Sequence, residues 1–167
     1  MSTLGRASTW LASFCPSHLD RVESYIKKNH SDADSMIDVG CGESRFVGRF
    51  NFRSRFQDDK YMMPPAIENV QSYSSDLDYA YMMDLVTCLQ VLEHQWNPEV
   101  LLGKLLSLGR VVIITVSYCW PSNSVQGHVQ DPLTMDTVRS WSNTPWSYHK
   151  IIWQGIVPRL LVVFDQR

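Results

Sequence analysis

The sequence predicts an α/β fold whose central sheet is doubly wound, mostly parallel and finished by an antiparallel pair of strands. Strand and helix patterns alternate from residue 36 to residue 116, as in sheets with right-handed crossovers. Residues 110–116 form a continuous β-branched run, which is typical of a strand buried on both faces of a parallel sheet. Strand patterns at 149–153 and 159–164 are separated by only a short turn, so they are expected to form an antiparallel hairpin.

Length and composition predict a single folded domain. The chain has 167 residues, enough for one sizeable core but not for two ordinary ones. Its 15 Lys and Arg against 17 Asp and Glu leave a net charge of -2, which gives no overall attraction to nucleic acid or to an acidic membrane. The sequence also contains a local basic cluster, Arg45, Arg49, Arg53 and Arg55. These arginines could contact phosphates, but a solvated face is the preferred interpretation.

The cysteines and the hydropathy pattern indicate an ordinary reducing environment. The four cysteines include no C-x-x-C pair, which indicates neither a zinc site nor a disulfide framework, so reduced and mostly buried thiols are expected. No apolar run approaches the roughly 18 residues of a membrane span, and no leader pattern opens the sequence. We therefore expect a cytoplasmic protein that does not associate with membranes. The cysteines are Cys15, Cys41, Cys88 and Cys119.

The first 34 residues predict two helices. Trp10, Leu11 and Phe14 fall on one face of the first, and a proline then breaks it. The second begins at a capping box, Ser17-x-x-Asp20.

A strand, a glycine turn and a short helix are predicted next. Residues 36–39 form an apolar strand that runs into Gly40-Cys41-Gly42, and residues 43–50 have a helical pattern. Such a turn lets backbone N–H groups approach a ligand at the positive end of the helix dipole. Weaker strands are predicted at 55–58 and 69–73.

The second half of the chain repeats this alternation. Residues 84–91 predict a buried strand, and Asn97-Pro98 predicts the start of an apolar helix that ends at Gly109. After the strand at 110–116 comes a polar loop, and Asp131-Pro132 is expected to cap a further helix that extends to residue 141.

The chemistry of the glycine turn favours a cationic ligand. A dinucleotide-binding turn follows G-x-G-x-x-G, whereas here Arg45 stands at the position of the third glycine. Asp38 and Glu43 flank the turn, and these acids suit a cation better than a pyrophosphate. A ligand with an amine and a sulfonium, such as S-adenosylmethionine, fits this turn.

Two motifs resemble one known family. Residues 37–42 (IDVGCG) resemble the first motif of the class I S-adenosylmethionine-dependent methyltransferases, and residues 84–94 (DLVTCLQVLEH) resemble the fourth-strand motif of that family. The 43 positions from Gly42 to Leu85 match the spacing needed for two further strands. The resemblance covers residues 35–120. It implies a Rossmann-like sheet of seven strands with helices on both faces, formed by residues 35–167, and a helical lid formed by residues 1–34.

The resemblance also implies a set of cofactor-binding residues. Asp38, Gly40, Cys41 and Gly42 would shape the pocket for the methionine part of the cofactor. The acid at the end of the second strand would bind the ribose hydroxyls, and both Asp58 and Asp59 are candidates, with Asp58 preferred. Asp76 with Leu77 would contact adenine, although Asp78 is a rival. Leu89 and Gln90 would line the sulfonium side.

Two histidines and several aromatic residues are candidates for the acceptor side. His94 belongs to the V-L-E-H motif and either contacts substrate or serves the structure. His128, in an H-x-x-D-P segment similar to one in some small-molecule methyltransferases, is a candidate base or substrate ligand, or part of a helix-capping loop. The other histidines, His18 among them, are expected to be solvated or packed. The candidate substrate-binding residues are Tyr118, Trp120 and Trp10.

The expected reaction is in-line transfer of a methyl group to an acceptor nucleophile, with most of the acceleration from approximation of the two. No metal is implied. A small-molecule acceptor, methylated on oxygen or nitrogen, best fits the near-neutral charge and the aromatic loops. Two alternatives remain: methylation of RNA or an RNA cap, and a cofactor-binding partner subunit without activity.

Overall fold

The structure is a computed structural model, and it describes residues 16–60, 66–73 and 82–167. The predictions made for Trp10 and for the adenine contacts Asp76, Leu77 and Asp78 lie outside these residues. The strands are β1 (Ser35–Val39), β2 (Ser54–Asp58), β3 (Gln71–Tyr73), β4 (Met83–Leu89), β5 (Gly109–Ser117), β6 (Tyr148–Gln154) and β7 (Val157–Asp165). The helices are α1 (His18–Asn29), α2 (Pro98–Leu108) and α3 (Met135–Ser140), with single 3-10 turns at Phe46–Arg49 and Leu92–His94.

The seven described strands form one sheet in the order β3-β2-β1-β4-β5-β7-β6. Every neighbouring pair is parallel except those of β7, which runs antiparallel to both β5 and β6. The predicted fold class is confirmed, including the antiparallel last strand and the hairpin of β6 and β7. Because the parallel strands share one direction, their carboxyl ends meet at one edge of the sheet.

The core lies on both faces of the sheet, as the β-branched run predicts. Ile114 and Val116 of β5 point into a cluster on one face, where α2 contributes Leu105. Ile113, their neighbour, points into a second cluster on the other face, where α1 contributes Ile26. Alternate side chains of one strand therefore supply two separate apolar layers, which is the period-2 geometry of a central strand.

The capping box of α1 is present as predicted. Ser17 Oγ accepts the backbone N–H of Asp20 at 3.2 Å, and Asp20 Oδ2 accepts the N–H of Ser17 at 2.8 Å. Within the described part of the chain, no helix is long and apolar enough to cross a bilayer.

The helix predicted at residues 43–50 is only one 3-10 turn, Phe46–Arg49. Arg45 offers no side-chain cap, and the backbone N–H of Gly48 bonds three residues back to the Arg45 carbonyl. Glycine also has a low helix propensity, so nothing local extends this turn.

Asp131-Pro132 does not cap α3, contrary to the sequence prediction. Thr134 is the N-cap, because its side chain accepts the N–H of Thr137. The Asp131 carboxylate bonds instead to His128, three residues before it, and to Ser117, a partner 14 residues before it that the local sequence does not reveal.

Candidate active site

The glycine turn after β1 is bound to the end of β2 by three hydrogen bonds. The N–H groups of Gly40 and Cys41 donate to the Asp58 carbonyl at 2.8 and 3.1 Å. The N–H of Gly42 donates to Asp59 Oδ2 at 2.8 Å. Both predicted ribose candidates therefore lie beside the turn, and the choice between their carboxylates stays a prediction.

Gly40 has no space for a side chain. Its φ is +71°, and a Cβ built there would lie 2.5 Å from Cγ2 of Val91. Val91 follows β4, so the chain after β4 packs directly against the turn after β1. Only glycine allows this approach without strain or a clash.

Asp38, near the end of β1, is buried, with an exposed fraction of 2%. Thr87 Oγ1 on β4 donates to its Oδ1 at 2.6 Å. Burial raises the pKa of Asp38 to about 7, because the charged form is poorly solvated, and the hydrogen bond from Thr87 opposes this rise. A cation placed nearby would return the carboxyl to its charged form.

A cavity of about 200 Å³ opens at this edge of the sheet. It brings together five of the predicted cofactor residues with three others. The predicted ones are Asp38, Gly40, Cys41, Leu89 and Gln90, and the others are His18, Leu19 and Ser44. The resemblance implies a helical lid from residues 1–34, but nothing in the sequence pattern distinguishes His18 within that segment. Burial, followed by the charge of Arg159, lowers the pKa of His18 to about 4, so its imidazole is neutral near pH 7.

Gln90 connects the cavity to the opposite half of the sheet edge. Its φ is +60°, and its N–H donates to the Thr115 carbonyl at 2.8 Å. Its side-chain oxygen accepts the Nε–H of Arg159, from β7, at 2.8 Å. The predicted cofactor residue is therefore held by both β5 and β7.

His128 lies in a second cluster beside the cavity. Its Nδ1–H donates to Asp131 Oδ2 at 2.6 Å, and Ser117 Oγ donates to Asp131 Oδ1 at 2.6 Å. Its ring stacks on Trp120 with centroids 5.3 Å apart, and His94 approaches its edge at 4.6 Å. Since Nδ1 keeps its proton to donate to the carboxylate, Nε2 is the nitrogen whose lone pair can accept one. The His128 side chain is only 5% exposed and, among the described residues, is not part of the cavity lining.

Glu93 secures the loop that carries His128. The side chain is fully buried, and its Oε1 accepts the N–H of Ser117 at 3.1 Å. Its backbone carbonyl accepts the N–H of Val129 at 2.9 Å. Burial raises the pKa of Glu93 to about 7. The V-L-E-H motif thus positions the loop that carries His128 through its glutamate.

The remaining candidates on the acceptor side have identifiable contacts. His94 is exposed, and its Nδ1–H donates to the Gly127 carbonyl at 3.0 Å. Trp120 Nε1–H donates to the Pro158 carbonyl at 2.7 Å. Tyr118 is partly buried against the core. Their assignments to catalysis or to substrate binding stay predictions.

The described thiols differ in burial. Cys41 and Cys88 are buried, as expected, whereas Cys119 is exposed. Within residues 16–60, 66–73 and 82–167, no three His, Cys, Asp or Glu side chains are placed to hold a metal ion.

Comparison with solved structures defines the class of fold. No family model matches the sequence, and no curated protein matches it significantly. Magnesium protoporphyrin IX methyltransferase (ChlM) from Synechocystis PCC 6803, with bound SAH, is similar with a TM-score of 0.64 and 14% identity, over 87% of this chain and 80% of that chain.

Two further solved structures give the same result. The methyltransferase domain of bacterial CtHen1 is similar with a TM-score of 0.63 and 16% identity, over 88% of this chain and 95% of that domain. The N-terminal domain of EvdMO1, with SAH bound, is similar with a TM-score of 0.60 and 14% identity, over 89% and 81% of the two chains. The strand order and these similarities show that the chain has the class I methyltransferase fold.

Proposed function

We propose that this protein transfers a methyl group from S-adenosylmethionine to a small-molecule acceptor, on oxygen or nitrogen. The observation that carries the proposal is the cavity at the carboxyl edge of the sheet, where the Gly40 turn and Asp38 meet Leu89 and Gln90. This is the site that open α/β sheets use for ligands.

The residues of the cavity fit the cofactor in charge and in shape. Asp38 is a buried carboxyl whose ionisation a sulfonium and an ammonium group would favour. Gly40 lines the cavity and has no side chain to fill it. Asp58 or Asp59 would hold the ribose beside the turn, and Leu89 with Gln90 would face the sulfonium.

When bound, the cofactor supplies an electrophilic methyl group, and the chain's own residues orient it and exclude water. His128 is proposed as the base for an acceptor hydroxyl or amine, because Asp131 fixes its tautomer with Nε2 free of the proton. Since its ring is 5% exposed, an acceptor would reach it by entering beside Trp120 and His94.

Calorimetric titration with S-adenosylmethionine and SAH tests the proposal, with NAD⁺ as the control ligand. Saturable binding of both ligands, and none of NAD⁺, is expected. If neither ligand binds, the proposed cofactor is wrong. Binding of both without turnover on any acceptor would favour the partner-subunit alternative.

RNA is the second candidate acceptor. The observation that favours it is the similarity to a chain of the Pnkp1/Rnl/Hen1 RNA repair complex, with a TM-score of 0.58 and 20% identity, over 91% of this chain and 42% of that chain. The net charge of -2 weighs against RNA. The basic cluster also weighs against it, because two of its arginines already bond within the protein. Arg49 pairs with Asp20 at 2.7 Å, and Arg55 donates to the Phe50 carbonyl at 2.7 Å. Labelled methyl transfer into short RNA, measured beside a small-molecule panel, separates the two acceptors.

A further inference from the structure

Arg159 is a partly buried cation whose hydrogen bonds go to neutral groups. Its Nε donates to Gln90 Oε1 at 2.8 Å, and its Nη1 donates to Gln154 Oε1 at 3.1 Å. The guanidinium lies over the ring of Trp120, 5.4 Å from the centroid. Among the described residues, no carboxylate forms an ion pair with it, and Nε and Nη1 are the atoms through which its side chain donates within the protein, so Nη2 is left for another acceptor.

Other arginines of the chain pair directly with carboxylates. Arg49 bonds to Asp20 at 2.7 Å, and Arg167 bonds to Asp165 at 2.9 Å. In both of these pairs the arginine is more exposed to solvent than Arg159. At an exposed position water already solvates the charges, so an ion pair adds little. A guanidinium that is partly buried and has no anion in direct contact is less well stabilised than these pairs, so an anion that reached it would be bound favourably.

Glu93 only partly supplies that charge. It attracts Arg159 through space rather than by a hydrogen bond. Because burial raises the pKa of Glu93 to about 7, much of this carboxyl is protonated near neutral pH. Arg159 itself stays charged, since burial lowers its pKa from a value far above neutrality.

The position of Arg159 relates it to the acceptor rather than to the interior. Gln90, its first partner, lines the cavity, and His18, which also lines it, senses the Arg159 charge. On its other side lies Trp120, next to His128. The cation therefore lies between the cofactor cavity and the candidate base.

We propose that Arg159 binds an anionic group of the methyl acceptor, a carboxylate or a phosphate, while the Trp120 ring contacts its apolar part. This inference rests on the proposed methyl transfer, because it assigns the acceptor of that reaction. The free Nη2 offers the donor for a charge-assisted hydrogen bond, and the planar guanidinium matches both kinds of anion. Acceptors with an anionic group are then selected over their neutral analogues.

The test uses three aromatic probes, benzoate, phenyl phosphate and benzamide, titrated into the full chain saturated with SAH. The wild-type protein is expected to bind one or both anions at least tenfold more tightly than the neutral amide. The ranking of benzoate against phenyl phosphate tells carboxylate from phosphate. Arg159→Gln is expected to remove the preference, and Arg159→Lys to keep part of it.

Arg110→Gln is the matched control. Arg110 lies near the start of β5, at the other edge of the sheet, and its side chain is 60% exposed. This variant is expected to keep the wild-type preference. Unfolding curves and SAH affinity, measured for all variants, identify any that fail to fold.

The results separate this inference from the proposed function. A wild-type protein that binds SAH but shows no preference for the anions overturns the role of Arg159, as does a preference that persists in Arg159→Gln. Loss of SAH affinity in a folded Arg159→Gln protein also overturns it, because Arg159 would then serve the cofactor. If SAH binds neither the wild-type protein nor any variant, the proposed cofactor is wrong. The same titrations without SAH then decide whether Arg159 binds anions.

Discussion

The two halves of the candidate site are built in different ways: the half proposed for the cofactor, around Gly40, is called the cofactor half, and the half proposed for the acceptor, around His128, is called the acceptor half. At the cofactor half, backbone N–H groups of the glycine turn bond to the end of β2, and the cavity forms against Gly40. At the acceptor half, side chains bond to each other: Asp131 bonds to His128 in the same loop and to Ser117 at the end of β5. The first half depends on backbone shape and the second on side-chain identity. Substrate choice is therefore expected to change through the second half without loss of the first.

The largest effect is expected where a substitution disturbs the backbone conformation of the glycine turn. Gly40→Ala adds a Cβ 2.5 Å from Val91 at a φ of +71°, so it should remove measurable S-adenosylmethionine binding and cost roughly 2–4 kcal/mol of stability. Calorimetry and urea unfolding measure both effects. Gly155→Ala is the matched control, since Gly155 has a φ of +63° but open space around it. Strain alone should cost this control about 1–2 kcal/mol, with cofactor affinity unchanged. Normal affinity in Gly40→Ala would place the cofactor elsewhere.

Asp38→Asn should change how stability depends on pH. The pKa of Asp38 is about 7 in the folded chain against 3.8 as its ordinary value, so the unfolded chain releases this proton first. In the wild type, the contribution of Asp38 to the free energy of unfolding is fully present below about pH 4. It falls by roughly 3–4 kcal/mol as the pH rises to about 7. Asparagine has no such loss, so the variant gains stability relative to wild type over this range.

The difference between the two unfolding curves is the quantity to measure. His18 titrates with the opposite sign, because its pKa is lowered to about 4 and its contribution to stability rises up to about pH 6.5. The wild-type curve alone is therefore flatter than Asp38 predicts. Asp136→Asn, at a side chain that is 95% exposed, is the control and should leave the curve unchanged. A difference that is constant from pH 4 to pH 7 would contradict the raised pKa of Asp38.

A change at the acceptor half should affect turnover and leave cofactor binding intact. His128→Gln removes the candidate base, and turnover is expected to fall about 100-fold with SAH affinity within about twofold of wild type. Steady-state kinetics and calorimetry, below the melting temperature, measure the two separately. His149→Gln, at an exposed histidine of β6, should change neither. Unchanged turnover in His128→Gln would leave this ring with a purely structural role.

The smallest effect is expected from one hydrogen bond of the acceptor half. Trp120→Phe keeps an aromatic ring but loses the bond from Nε1 to the Pro158 carbonyl, measured at 2.7 Å. The loss should cost about 1 kcal/mol, or about 2–4 °C in melting temperature for a chain of this size. Trp96→Phe, at a side chain that is 80% exposed, should leave the melting temperature unchanged. An equal shift in both variants would argue against a role for this bond.

The cofactor half, which depends on backbone shape, could be predicted from the sequence further than the acceptor half, which depends on side-chain contacts. Gly40, Gly42 and Asp38 are adjacent in sequence, and glycines after an apolar strand indicate a turn wherever they occur. The glutamate of V-L-E-H could be located but not interpreted, because its partner Ser117 lies 24 residues away. The sequence predicts a helix cap at Asp131, because the bond that this residue makes to Ser117 depends on the packing of a loop and leaves no local pattern.

The sequence by itself determined the α/β class, the antiparallel last strand, the glycine turn and the candidate cofactor residues at the ends of β1 and β4. The class, the last strand and the turn follow from periodicity and from steric preferences that act over a few residues, whereas the candidate cofactor residues follow from the resemblance of two motifs to a known family. Only the tertiary structure decided that His18 lines the cavity and that Arg159 bonds to Gln90, 69 residues away. The physical reason is strand pairing: β7 runs antiparallel to β5 and sets Arg159 opposite Ser117 at the edge where the site forms.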